Sequence, residues 1–342
     1  MGVSFLTVGN FNIDNTVSAD GLLSLRKLGG NAVYSAIGAH VWSGDIGILS
    51  VIPINFPQKW LDELQNAGID LSGIRQASPP VELEEWFFYQ PDGSRIDHIY
   101  APSHLFSHFK NRKDGLSEDE IQKIFHMVST FTQEKGISFG EFRRINPIYP
   151  ADIPQSWKAI HGCHIAPNSY AIHKALSHAF KELGVFVSLD PGVYVNQLSE
   201  SELASLLSEV DVFLPSLKEL KALFPKKDPK EAILCMSEMG PKAIVAKIGS
   251  QGCLVWDSDR NKVTHIPPVP SRVIDLTGAG DAFCGGFLVG MIETSDAIMA
   301  AHYGSVSSSL VIEKVSMQKA LRFNRYQANT RLKNSYRYEN AE

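Results

Sequence analysis

What this chain has little of narrows its chemistry first. Cysteine is sparse: Cys163, Cys235, Cys253 and Cys284 stand far apart in 342 residues with no CxxC pair, so neither a disulfide framework nor a zinc ribbon is expected, and the thiols read as buried and free. No stretch approaches the roughly 18 uninterrupted apolar residues of a membrane-spanning helix. The opening "MGVSFLTVGN" lacks the basic and long apolar segments of a secretory signal, so the expectation is a soluble, cytoplasmic protein. No dense basic block interrupts a mixture of 32 Lys and Arg with 37 Asp and Glu, net charge -5, which disfavours nucleic acid and membrane surfaces as partners. His98, His104 and His108 are too loosely spaced for a zinc site. A G-x-G-x-x-G turn after the first strand is also missing, since that strand runs into "GNFNIDNTV"; a dinucleotide-dependent oxidoreductase is therefore a poor fit.

What is present is apolar sequence in quantity, 44% of the chain, enough for one large domain. "VSFLTVG" has the β-branched and aromatic content of a buried strand and feeds the polar group Asn10, Asn12 and Asp14. After Gly29-Gly30, "NAVYSAIGAHVW" has helical spacing, "IGILSVI" returns to a strand, and "QKWLDELQNAG" is an amphipathic helix with Trp60, Leu61 and Leu64 on one side. Residues 81 to 100 break this alternation with two extended runs joined at Asp92-Gly93, which predicts an antiparallel hairpin outside the main sheet, suited to covering a site. Ile121, Ile124, Phe125, Val128 and Phe131 predict a helix over 118 to 135, and the proline-bearing stretch 136 to 158 reads as irregular. The second half repeats strand-to-helix units: a helix near 170 to 183, "VFVSLD", "DVFLP" into "SLKELKALF", a helix near 229 to 239, and "AIVAKIG". Such repeats imply a mainly parallel sheet with helices on both faces. No internal repeat or low-complexity block is evident, and the polar tail after about residue 325 is expected to be peripheral.

The stretch that carries chemistry is "VIDLTGAGDAFCGGFLVGM". Gly278, Ala279 and Gly280 let the backbone turn tightly and present N–H groups at the start of an apolar helix, a suitable place for an anion. Asp281 is the odd member there, because a carboxylate repels phosphate. Two readings stand on these residues alone. Asp281 takes a proton from an alcohol attacking phosphorus, or it merely favours the first helical turn electrostatically while Gly285-Gly286 permits close helix packing.

The flanking residues add a resemblance. "VIDLTGAGDAFCGGFLVG" resembles the C-terminal signature of the PfkB family of carbohydrate and nucleoside kinases, the ribokinase-like group, and "LGGNAVYSAIGA" resembles its N-terminal glycine pair. The family's order of motifs is followed over about residues 3 to 312. The resemblance implies a three-layer α/β/α sandwich with a mainly parallel central sheet and a small β lid. Within a kinase domain over 1 to 325, the lid would comprise segments of about 14 to 28 and 81 to 100, with an insertion at about 104 to 158. It further implies ATP-dependent transfer of phosphate to an alcohol of a sugar, sugar-like compound or nucleoside, with Asp281 as general base and 278 to 280 as the anion hole.

By the same resemblance Asp14 grips substrate hydroxyls and Gly29-Gly30 pass close to the sugar. The family's Asn four positions beyond the second glycine is Tyr34 here, and Asn31 is a candidate to supply the lost contact. The NxxE motif is half present, as Ser216 and Glu219; Glu219 reads either as an orderer of water around Mg2+ or as an ordinary helix carboxylate. Asp275 resembles the acid that orders the anion turn and, in many members, a monovalent cation, which makes K+ a candidate cofactor beside ATP and Mg2+, and Thr277 stands by to assist it. Gly249 and Gly252 match the glycines of a segment passing the ATP phosphates. Lys247 precedes them, meeting either phosphate or solvent, and His302 lies on the helix that borders the adenine pocket in the family. Arg95, after the lid turn, either closes over an anionic group or is solvated, and Arg143-Arg144 share that ambiguity. Aromatic "EEWFFYQ" on a presumed open sheet edge suggests a homodimer through the lids. A non-catalytic sugar or nucleotide sensor stands as the alternative, since the NxxE motif and the substrate Asn are incomplete.

Overall fold

The structure is a computed structural model that describes residues 2–18, 23–81, 84–89, 95–97, 119, 122–123, 126, 137–313 and 317–339. Its framework is a nine-stranded sheet. In chain order the strands involved are β1 (Phe5–Val8), β4 (Ile46–Pro53), β5 (Asp70–Ala77), β8 (Gly162–Ile165), β9 (Phe186–Leu189), β10 (Val212–Phe213), β11 (Ala243–Lys247), β12 (Cys253–Asp257) and β13 (Lys262–Ile266). They are arranged β13-β12-β11-β10-β9-β8-β1-β4-β5, and neighbours pair parallel except β11 with β12 and β12 with β13, so β12 alone runs against the rest. Every residue of β1, β4 and β8 is buried, as expected of parallel strands covered on both faces.

Alternation along β11 shows the two faces. Ala243 and Val245 share a cluster with Phe283, Cys284 and Phe287, whereas Ile244 and Ala246 belong to the cluster that holds Ile233 and Met236. The helices concerned are α1 (Asn31–His40), α2 (Gln58–Asn66), α3 (Phe139–Ile145), α4 (Tyr170–Glu182), α5 (Glu200–Leu207), α6 (Leu217–Leu223), α7 (Pro229–Ser237), α8 (Ala279–Thr294), α9 (Ala297–Ile312), α10 (Met317–Ala320) and α11 (Arg325–Glu339). α8 packs on α1 and α9. That contact depends on missing side chains: a Cβ at Gly285 would overlap the Ser35 carbonyl of α1, and one at Gly286 would run into Ser307 of α9. The start of α1 and the start of α8 are thereby held in one place.

A second, four-stranded sheet has the order β3-β2-β6-β7, from β2 (Asn12–Val17), β3 (Leu23–Gly29), β6 (Glu84–Tyr89) and β7 (Arg95–Asp97). β6 and β7 pair antiparallel, Tyr89 opposite Arg95, as the hairpin reading anticipates. β6, however, lies between β2 and β7 rather than at an edge, and Trp86, Phe87, Phe88 and Tyr89 are buried within the one chain. The reasoning that led from those aromatics to a dimer through the lids therefore falls away.

Three sequence expectations need correction or bounding. The stretch 136 to 158 contains α3, begun by Ser138, whose Oγ accepts the Glu141 N–H at 3.1 Å; the S-x-x-E cap signature was there to be read. The expected peripheral tail is the helix α11. It is docked by Arg325 on Glu293 at 2.6 and 2.7 Å, by Arg331 on Glu313 at 2.9 Å, and by fully buried Ala328. Its polar composition misled because its charges are paired with the body. The helix expected over 118 to 135 lies largely outside the described residues, as do His98, His104 and His108. Among the described residues no helix is long and apolar enough to cross a membrane.

Candidate active site

Strand order reverses at β1: the chain moves from β1 outward through β4 and β5, then returns to the opposite side of β1 as β8. Ligands of open α/β sheets bind outside the strand carboxyl ends at such a switch point. The segments that leave those ends carry Asn10 after β1, leading directly into Asp14 of β2, Asn168 after β8, Asp190 after β9 and Ser216 after β10, and Lys247 closes β11.

Asp14 is buried (2% exposed), and its carboxyl lies so close over Gly29 that a Cβ there would overlap it. Gly30 has φ 107 and passes against the Asn10 carbonyl. Asn31 does not replace the absent family Asn. Its Oδ1 accepts the Asn10 N–H at 2.7 Å and its Nδ2 donates to the Pro167 carbonyl at 2.9 Å, which ties the β1 and β8 loops together. Tyr34 donates its hydroxyl to Asp14 Oδ2 at 3.2 Å. Burial, then the Asp14 charge, raises that phenol well above its usual pKa, so it stays protonated and donates to Asp14.

The Tyr34 ring rests on Gly278, where a Cβ would overlap it and where φ is 74. Glycine is required there on both counts. Within the turn, Asp275 Oδ1 accepts the Thr277 N–H at 2.9 Å and the Leu276 carbonyl accepts the Ala279 N–H at 3.2 Å. The Ala279 donor is therefore committed within the turn, and the next first-turn N–H of the expected 278 to 280 set is that of Gly280. Gly280 is exposed and Asp281 half-buried in that first turn of α8. From the second sheet, Tyr89 meets Thr277 hydroxyl to hydroxyl at 2.6 Å.

On the other side of the turn, Lys247 is not solvated. Its ammonium pairs with Asp190, reaches Cys284 Sγ at 3.5 Å and stands 3.9 Å from where a Gly280 Cβ would be. Burial pushes the Lys247 pKa down, but Asp190, with Cys284 and Glu219, outweighs it and holds the ammonium charged. Ser216 and Glu219 form a capping box at the start of α6: Glu219 Oε2 accepts the Ser216 N–H at 2.6 Å, and Ser216 Oγ accepts the Glu219 N–H at 3.3 Å. Ser216 thus caps α6. Burial, then Asp190, raises the Glu219 carboxyl, against the pull of Lys247.

The remaining candidates are placed less tellingly. Gly249 has φ 65 with open space beside it, and Gly252 has φ 88 tight against β13. His302 is 2% exposed inside α9 rather than on an open wall. Arg95 belongs to β7, and its side chain lies outside the described residues.

One residue was under-read. Asn12 stands two positions before Asp14 on the same face of β2; its Nδ2 donates to Glu85 Oε2 at 2.9 Å, while its buried Oδ1 has no hydrogen-bond partner. Its place in the polar group after the first strand was the available signal.

Residues 159–323 match the family described as pfkB family carbohydrate kinase. The fold is ribokinase-like, and the chain is a kinase whose second half matches the PfkB family. A cytidine kinase of Thermococcus kodakarensis is 25% identical to this kinase over 290 residues, 84% of the chain and 88% of that protein. An uncharacterized sugar kinase of Archaeoglobus fulgidus is 35% identical over 135 residues, 40% of the chain and about half of that protein (53%). The crystal structure of a putative ribokinase II from E. coli in complex with ATP and Mg2+ superposes with TM-score 0.69 at 19% identity, covering 97% of this kinase and 99% of that chain. That likeness carries the fold. The enzyme class, phosphate transfer to an alcohol of a sugar or nucleoside, comes from the family.

Proposed function

We propose that this kinase transfers the γ-phosphate of ATP to a hydroxyl of a small sugar-like acceptor, with Asp281 as general base and the 278 to 280 turn as the anion-binding element. The observation that carries the reading is Tyr34. One side chain touches both the carboxylate proposed to grip the acceptor, Asp14, and Gly278 of the turn, so acceptor and phosphate would meet across it. Asp14 and the orphan Oδ1 of Asn12 accept hydrogen bonds from acceptor hydroxyls. Asp281, one side chain beyond the turn, receives the proton of the attacking hydroxyl as the bond to phosphorus forms. The N–H of Gly280 and the positive end of α8 face the charge on the moving group, and Lys247 adds a cation beside Gly280.

Mg2+ fits this side of the site: Glu219 and Asp190 present hard carboxylate oxygens, and among the described residues no group of three or more metal-binding side chains forms an all-protein cage. Bound with the nucleotide, Mg2+ supplies neutralisation of phosphate charge. Glu219, fixed by Ser216, would hold its water. Asp275 is engaged with the Thr277 N–H and orders the turn, and we assign it any monovalent-cation site.

The likeness to a cytidine kinase over 84% of the chain favours a nucleoside acceptor as the second reading. An unbiased metabolite-phosphorylation screen with ATP and Mg2+ tests both. Transfer to a sugar-like or nucleoside alcohol is expected; ATP binding without transfer to any acceptor would make the protein a sensor instead.

A further inference from the structure

Helix α3 sends one of its two arginines inward. On α3, adjacent arginines part company: Arg144 pairs with Glu141 at 2.6 Å on the exposed side, whereas half-buried Arg143 turns to the β8 loop and donates from Nη2 to Asn168 Oδ1 at 3.3 Å. Its guanidinium also lies over the Phe139 ring, 5.5 Å from the centroid. Among the described residues no carboxylate stands within 4 Å of it. Glu85 is close enough to attract it, and burial still lowers its pKa on balance.

Glu85 lies on the acceptor side of the lid sheet. In the parallel pairing of β2 with β6, Glu85 is the register partner of Asp14, so the two side chains share a face of the lid sheet, and Asn12 reaches Glu85 from that same face. Arg143 meets Asn168, the neighbour of Pro167, whose carbonyl accepts from Asn31 beside Gly30, so its guanidinium stands at the β8-loop side of the acceptor site with Glu85 within electrostatic reach. A guanidinium stays charged in a protein, and desolvating it against one neutral amide and a ring leaves that charge poorly compensated. A neutral hydroxyl or base edge would leave it so. An anionic oxygen pair would match the planar fork and screen the acceptor from Asp14 and Glu85.

We propose that Arg143 determines acceptor specificity, and that the acceptor carries an anionic oxygen group, a carboxylate or a phosphate ester, away from the hydroxyl that is phosphorylated. The proposal rests on the kinase reading above. It assigns the hydroxyl end to Asp14 and Asn12 and the anionic end to Arg143.

The test compares matched acceptors: neutral aldoses and polyols, the corresponding sugar acids, the corresponding sugar phosphates, and nucleosides. Each is assayed with wild type, Arg143→Met and Arg143→Lys, with ATP affinity measured in parallel. The expected result is transfer to sugar acids or to sugar phosphates, and which series responds distinguishes carboxylate from phosphate. Arg143→Met should lower kcat/KM for that series by about 10- to 100-fold through KM, the scale of a lost charge-assisted pair. Arg143→Lys should restore part of it, and ATP affinity should stay unchanged. Transfer by wild type to neutral sugars or nucleosides alone, or an Arg143→Met enzyme with an unaltered KM for its anionic acceptor, overturns the proposal while leaving the kinase reading intact. If Arg143→Met does not fold, the wild-type acceptor series decides by itself. Transfer to no acceptor of any class fails the kinase reading, and this inference with it.

Discussion

Tyr34 shows what a single side chain contributes. It stands where the family has Asn, its ring packs on the chain's own Gly278, and its hydroxyl donates to Asp14. Removing only that hydroxyl, as in Tyr34→Phe, keeps the ring in place and releases Asp14 from one donor. The acceptor KM should rise about 5- to 20-fold, the effect of roughly one hydrogen bond, with ATP affinity unchanged; titrating both ligands checks it, and a loss in ATP affinity of the same size would show that Tyr34 supports the turn instead. Asp14, Gly278 and Asp281 were legible because a sharp turn, a required glycine and an out-of-place carboxylate leave a local mark. Asn31 and Lys247 were not. Whether an amide faces ligand or backbone, or a lysine meets solvent or Asp190, is decided by residues more than 50 or 100 positions away.

Between elements, the contact that matters most joins the two sheets. Tyr89 on β6 and Thr277 before α8 share a buried hydroxyl pair at 2.6 Å, so the lid sheet is latched to the turn proposed to receive phosphate. Tyr89→Phe leaves the ring and deletes the latch. Futile ATP hydrolysis should rise relative to acceptor phosphorylation, by about several-fold, because closure is what excludes water; an unchanged ratio of hydrolysis to transfer in a coupled assay would detach Tyr89 from closure. The strands and helices of the parallel core were readable from apolar period and caps. The position of β6 was not, because strand order depends on pairing over some 70 residues, Asp14 with Glu85 and Thr16 with Phe87, which leaves no periodic trace in either strand. The docking of α11 was hidden for a related reason: its hydrophobic signal is weak and its anchors are ion pairs to Glu293 and Glu313.

For the molecule as a whole, two enclosed histidines tie stability to pH. Burial lowers His164 to about 3 and His173 to about 4, from an ordinary value of 6.5. The unfolded chain therefore takes up protons at these positions below pH 6.5 while the folded chain does not, so their contribution is fully present above pH 6.5 and is lost as pH falls toward 4. Glu219, raised by burial, acts in the opposite sense as one group against two. Denaturant midpoints at pH 7 and pH 5 should fall on acidification, with Tyr194, hydrogen-bonded to His173 Nδ1 at 2.5 Å, reporting the change by fluorescence or NMR. A midpoint that held steady or rose would mean the histidines are not enclosed as neutral rings.

The central claim is that Asp281 takes the acceptor's proton, and Asp281→Asn tests it most directly because it preserves the shape of the turn. Nucleotide affinity and phosphoryl transfer are measured on the same preparation, with the acceptor found by screening. The expected result is ATP affinity equal to or slightly tighter than wild type and a kcat lower by about 100-fold or more, the scale of a lost positioned base. Near-normal kcat in both Asp281→Asn and Asp281→Ala would contradict it, and the carboxylate at the start of α8 would then be no more than a favourable charge at a helix end.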